Sequence, residues 1–187
     1  LMYCCGITAY DYCHLGHARS YIVWDFIRRY LTWQGCELNY VQNFTDVDDK
    51  ILNRAQQEGV SMTEISEKYI QTYYEDMHKL NINKAEAYPK VTEHIADICQ
   101  FIQELEQKGY TYTVNGDVYY KVKQFADYGQ LSGRNLEQMQ VGASGRLNDA
   151  DHNQKQYSFD FVLWKSAKSG EPAWDSPWGK GRPGWHI

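Results

Sequence analysis

The chain has 187 residues, 43% hydrophobic and 23% charged, with a formal net charge of −5 from 19 Lys+Arg and 24 Asp+Glu. That length suits one domain, or one and part of a second, and the composition supports a buried core rather than a wholly disordered chain. The charge excludes a uniformly basic nucleic-acid coat but not a local patch, and no run approaches the roughly 18 apolar residues of a membrane helix.

Leu1 to Ile7 reads as a short buried strand, followed by a turn over residues 8–15 that carries Tyr, Asp, Cys and His. Gly16 to Gln34 is helical in pattern, with Val23, Ile27, Tyr30 and Leu31 on one stripe and Gly35 as its stop. Glu37 to Phe44 reads as a second strand. Thr45 or Asp46 then caps a helix whose first turn holds Asp48 and Asp49, favourable at the positive helix end. Gly59 ends it. Ser61 and Glu64 have capping-box spacing before a helix with Ile65, Tyr69, Tyr73, Met77 and Leu80. Strand, helix, strand, helix at these lengths predicts a parallel, right-handed βαβ opening.

The character changes near Pro89. A helix with Ile95, Ile98, Ile102 and Leu105 stops at Gly109. Two alternating runs flank Asn115-Gly116, a two-residue hairpin signal because both central positions need positive φ. Val141 to Tyr157 is polar and reads as a loop. Phe159 to Trp164 is apolar, and the chain from Ser169 to Trp185 is rich in Gly, Pro and Trp. The abundance of aromatics (16 Tyr, 6 Trp) predicts many half-buried rings with partnered polar tips. Five cysteines, an odd number without CxxC spacing or a secretory leader, suggest reduced thiols in a cytoplasmic compartment rather than a disulfide framework.

The sharpest chemical feature is Cys13-His14-Leu15-Gly16-His17, placed between a strand and a helix. Gly16 lets a phosphate approach the backbone, the helix N-terminus offers free N–H groups, and two imidazoles can donate to a leaving pyrophosphate. The plainer reading is two histidines capping or packing at a helix start. A zinc pair is a third reading, but further ligands are not obvious nearby.

The stretch Met2 to Ser20 resembles the start of cysteinyl-tRNA synthetases, with His14-Leu15-Gly16-His17 at the class I HIGH signature. Tyr40 to Ile51, Gly109 to Tyr120, Tyr128 to Arg134, Asp160 to Lys165, Trp174 to Gly179 and Arg182 to Ile187 match the same family in order. The tract 141–158 resembles it least and corresponds to a variable loop. The resemblance implies an α/β fold: the first half of a Rossmann-like catalytic domain over residues 1–90, a connective α+β insertion over 91–178, and a return to the catalytic domain over 179–187.

It also implies an ATP-dependent cysteine–tRNA ligase. Its substrates are cysteine, ATP with Mg2+, and tRNA(Cys), with one Zn2+ per intact subunit. Carried over by motif, His14, Gly16 and His17 meet the ATP phosphates, with His14 and His17 catalytic. Gly6, Thr8, Thr45 and Trp185 meet the substrate cysteine, and Cys5 is a zinc ligand. Zinc with an open position prefers a thiolate to a hydroxyl, which discriminates better than an apolar pocket. Taken alone, Cys5 reads as a buried structural thiol, Thr45 as a helix cap and Trp185 as packing. Cys4 is expected on the opposite strand face, and Cys13 as packing rather than a nucleophile.

Lys165, Lys168, Lys180 and Arg182 could form a local basic patch. The family's remaining zinc ligands, KMSKS loop and anticodon-binding helices lie outside this sequence. The chain therefore reads as a fragment, expected to bind zinc and ATP weakly by itself and not to aminoacylate. A monomer without membrane attachment is expected. The alternatives are a ligase joining cysteine to an amino sugar, a small nucleotidyltransferase using HxGH, and a non-catalytic truncated paralogue.

Overall fold

The computed structural model describes residues 1–133 and 154–187. The loop reading for Val141 to Tyr157 lies, up to residue 153, outside the described residues. The chain divides into two compact units, Leu1–His94 and Ile95–Ile187.

The first unit begins with a βαβ crossover. Strand β1 (Met2–Cys4) pairs in parallel with β2 (Tyr40–Gln42), in the register Met2↔Tyr40 to Cys4↔Gln42. Helix α1 (Leu15–Trp33) connects them. Both strands are shorter than the sequence predicts, because regular pairing breaks at Cys5 and resumes only as a bridge between Thr8 and Thr45. The far edge of β2 is covered by residues 87–90, through parallel bridges Val41↔Ala87 and Phe44↔Lys90.

Helix α2 (Asp49–Glu58) is capped by Asp48, whose carboxylate accepts from Lys50 N–H at 3.0 Å. Neither Thr45 nor Asp46 caps it. Thr45 is still extended against Thr8, and the Asp46 carboxylate accepts from the Thr92 N–H and hydroxyl. Helix α3 (Met62–Lys79) opens with the predicted Ser61–Glu64 capping box. The core of this unit joins Ile7 and Phe44 to Ile51, Ile65, Tyr69 and Tyr73. Phe44 is fully buried, with Tyr73 and Tyr74 edge-on at 5.2 and 5.6 Å and Tyr88 stacked at 5.3 Å.

Of the predicted apolar stripe of α1, Ile27 and Leu31 are only half-buried. Within α1 only Tyr21 is buried, while Val23 and Tyr30 are exposed beside Ile22, Phe26 and Trp33. The helix is tied down by its polar side instead. Arg28 donates to Lys84 C=O and pairs with Glu86, and Arg29 donates to Asn81 C=O at 2.7 Å.

The second unit holds α4 (Ile95–Gln107) and a four-stranded antiparallel sheet of β3 (Thr111–Val114), β4 (Asp117–Tyr120), β5 (Phe161–Ser166) and β6 (Gly181–Pro183), in that order. Asn115 (φ 53°) and Gly116 (φ 88°) make the predicted tight hairpin turn. Ile102 of α4 packs on Val118, Leu163 and Trp164, all buried. Asp160 is buried and satisfied, accepting from Val122 N–H, Tyr157 N–H and the Tyr112 hydroxyl. The sequence divides the chain at 90/91. The bonds of residues 87–92 to β2 and Asp46 carry the first unit on to His94. Residues 179–187, expected to return to the catalytic half, contribute β6 to the second unit's sheet.

Candidate active site

His14 and His17 both serve the start of α1. His14 is its N-cap (φ −115°, ψ 174°), and its Nδ1 accepts from Gly16 N–H at 3.1 Å. His17 Nδ1 accepts from His14 N–H at 3.2 Å, and the rings stack with centroids 3.9 Å apart. The capping reading and the phosphate reading are therefore compatible, and the first serves the second. A neutral imidazole that accepts at Nδ1 carries its proton on Nε2. The helix cap thus fixes both tautomers and leaves two Nε2–H donors at the helix end, where the His14 and Gly16 N–H groups are satisfied by the two rings and the His17 N–H by the His14 carbonyl. His14 is exposed, while His17 is half-buried with Tyr21 stacked beyond it. Burial, then the neighbouring His14, lowers the pKa of His17, which favours the neutral donor.

The other motif residues of the first unit gather where β1 and β2 end. Cys4 is buried and Cys5 exposed, so Cys5 is not the buried structural thiol of the plainer reading. Gly6 donates its N–H to Asn43 Oδ1 at 2.8 Å. Thr45 N–H donates to Ile7 C=O, and Ala9 N–H to Thr45 C=O, which holds Thr8 and Thr45 side by side. Asn43 was not singled out from sequence. A polar residue next to a strand carries no signal of its own, and only the facing Gly6 reveals its work. Cys13 packs on the core, and burial, reinforced by the Asp76 charge, pushes its thiol up to about 11, so it is no nucleophile.

Trp185 lies in the second unit beyond β6, half-exposed and edge-on to His186 at 4.6 Å. The predicted basic patch loses one member there. Arg182 is buried in β6 with its Nε 3.6 Å from the Glu171 carboxylate. Among the described residues, no group of three or more His, Cys, Asp or Glu side chains could hold a metal ion. Cys5 fits as one soft, accessible donor, but these residues do not complete a zinc site. No described helix is long and apolar enough to cross a membrane. A groove of about 630 Å³, lined by Arg28, Trp33, Cys36 and Glu86 among others, lies at the opposite end of α1 from the two histidines.

A parallel strand pair joined by a helix, with a capped histidine pair at the helix start, is the opening of a Rossmann-like α/β fold. The chain belongs to the family described as the tRNA synthetases class I (C) catalytic domain, whose model matches residues 1–187. It is 65% identical over its whole length to a cysteine–tRNA ligase of Trichormus variabilis and 65% to one of Nostoc sp., covering 38% of each. It is 62% identical to a cysteine–tRNA ligase of Gloeothece citriformis, covering 39% of it. The chain thus spans well under half the length of these curated relatives. A solved structure of Mycobacterium tuberculosis methionyl-tRNA synthetase in complex with methionyl-adenylate is similar in fold. It has a TM-score of 0.62 at 14% identity, with 89% of this chain and 41% of that one covered.

Proposed function

We propose that this chain forms part of the catalytic domain of an ATP-dependent cysteine–tRNA ligase. The observation that carries the reading is the paired-histidine cap of α1, which presents two Nε2–H donors at the end of a parallel strand pair where Cys5 is exposed. In the first step the cysteine carboxylate attacks the α-phosphorus of ATP. A carboxyl O–P bond forms, the bond to the pyrophosphate oxygen breaks, and negative charge grows on the leaving group. His14 and His17 stabilise that charge through their Nε2–H groups. Gly16, having no side chain, leaves room for the phosphates beside the cap.

Gly6, Thr8 and Thr45, all in the first unit, position the amino acid. Cys5 is one ligand of a zinc ion, which when bound supplies a soft centre that prefers a thiolate to a hydroxyl. Mg2+ accompanies ATP. The adenylate is then consumed by the 3′ end of tRNA(Cys), in the cytoplasm, by a monomeric enzyme. The amino-sugar ligase shares the first step, but the relatives described above are cysteine–tRNA ligases.

The test is cysteine-dependent ATP–pyrophosphate exchange and tRNA charging by the full-length protein. His14→Ala and His17→Ala are each expected to lower kcat by roughly 100-fold or more with little change in the cysteine KM. Exchange without charging would favour the amino-sugar ligase, and no cysteine-dependent exchange would remove the reading altogether.

A further inference from the structure

The pairing of β1 with β2 changes register where the candidate site begins. Partners from Met2↔Tyr40 to Cys4↔Gln42 are 38 positions apart, whereas the Thr8↔Thr45 bridge spans 37. Three residues, Cys5, Gly6 and Ile7, therefore face two, Asn43 and Phe44. This is a one-residue β-bulge in a parallel pair. Burial follows the same count. On the β2 side Gln42, Phe44 and Asp46 are buried at a strict period of two. On the β1 side Cys4 is buried, and the next buried residues are Ile7 and Ala9, so the phase slips by one. Without the slip Cys5 and Thr8, three residues apart, would fall on opposite faces. With it, both share the face away from the core with Thr45.

Two features hold the bulge. Asn43 Oδ1 accepts from Gly6 N–H, the donor that the broken ladder leaves without a backbone partner. Gly6 also lies against the Asn43 carbonyl so closely that a Cβ at position 6 would sit well inside contact distance of it. Side chain and backbone of Asn43 thus clamp the peptide that follows Cys5.

We propose that Asn43 is a positioning residue that locks this bulge and so places the Cys5 thiol and Thr8 on one face to receive the substrate cysteine. The proposal rests on the reading above for what Cys5 and Thr8 bind, while the lock itself is a property of this chain.

Two readouts on the full-length protein test it. The first is alkylation by iodoacetamide of protein stripped of zinc by a chelator, since a metal-bound thiolate would be shielded, with each cysteine mapped by mass spectrometry. The unaltered protein is expected to label at Cys5 and to spare Cys4. Asn43→Ala lets the strand relax toward even alternation, and the Cys5-to-Cys4 labelling ratio is expected to fall by roughly tenfold. Asn43→Asp keeps an acceptor oxygen and recovers most of the ratio. Gly6→Ala, which attacks the lock from the other side, lowers the ratio as Asn43→Ala does. The second readout is pyrophosphate exchange, where Asn43→Ala is expected to raise the cysteine KM by roughly tenfold and leave the ATP KM within about twofold.

An unchanged labelling ratio in Asn43→Ala would overturn the lock. Equal rises in both KM values would overturn the positioning role. Absence of cysteine-dependent exchange in the unaltered protein would remove the functional reading, and the labelling ratio would then decide the lock by itself.

Discussion

His17 shows how one residue can serve two purposes. Its Nδ1 is committed to the backbone of His14, and that commitment requires a neutral ring. Its pKa lies below the ordinary imidazole value, so the unfolded chain takes up a proton before the folded one does. The contribution to stability is therefore full above about pH 6.5 and is lost as pH falls through the lowered value. Thermal melts from pH 8 to 5 are expected to show a fall in stability below pH 6.5 that is smaller in His17→Asn, whose side-chain oxygen can still accept. Asp160 is a second case. Its carboxylate accepts from three donors in a buried position, and Asp160→Ala leaves all three without an acceptor. A loss of about 3 kcal/mol is expected by urea titration. The capping role of His17 was legible in the sequence as a histidine at a helix start, whereas the role of Asp160 was not. An Asp before a Phe looks the same whether or not donors such as Val122 N–H and the Tyr112 hydroxyl reach it from dozens of positions away.

At the scale of elements, local chemistry was legible and long-range pairing was not. The Ser61–Glu64 box, the Asn115-Gly116 turn and the stop at Gly59 all follow from interactions within a few residues, and each stands where the sequence puts it. The cap of α2 was misplaced because Thr45 and Asp46 are as good as Asp48 at capping. What removes them is Thr8 and Thr92, more than 30 positions away. The bulge at Cys5–Ile7 was hidden for the same reason. The motif resemblance selected His14, His17, Gly6, Thr8 and Thr45, but offered no cause for their arrangement.

Strand β6 gives a test of packing at this scale. A Cβ at position 181 would press on both the Lys165 carbonyl and the Trp164 indole, and Trp164 has no exposed surface. Among the described residues its buried Nε1 has no hydrogen-bond partner. Gly181→Ala is expected to cost about 1–3 kcal/mol, read from the urea midpoint at constant m.

For the molecule as a whole, two separate cores and one uncovered helix face set the behaviour. The first core is built on Phe44 and its ring of tyrosines, the second on Trp164 and Ile102. The apolar stripe of α1 was legible in the sequence, but periodicity reveals which side of a helix is apolar and not whether anything covers it. Phe26 and Trp33 are 69% and 78% exposed, with Ile22, Val23 and Tyr30 beside them. A contiguous apolar face of this kind drives association. The 187-residue chain by itself is expected to self-associate with rising concentration in sedimentation velocity, and Phe26→Ser with Trp33→Ser to reduce it. With Cys5 as the one accessible donor of its site, the same chain is expected to hold well under one equivalent of zinc after dialysis, measured by atomic emission. A full equivalent would show that ligands other than those described complete the site.

The hairpin at Asn115-Gly116 also has a chemical lifetime. A glycine after asparagine leaves the following amide nitrogen unobstructed for attack on the side-chain carboxamide, the route to a succinimide and then to aspartate or isoaspartate. In the fold that nitrogen sits in a tight turn between paired strands, with both central residues held at positive φ. Cyclisation has to distort this backbone, so the turn protects the bond while it is formed. Isoaspartate at position 115 would thus accumulate in proportion to the time a molecule spends with the β3–β4 hairpin open, and ageing of the sample would leave a covalent record of its unfolding.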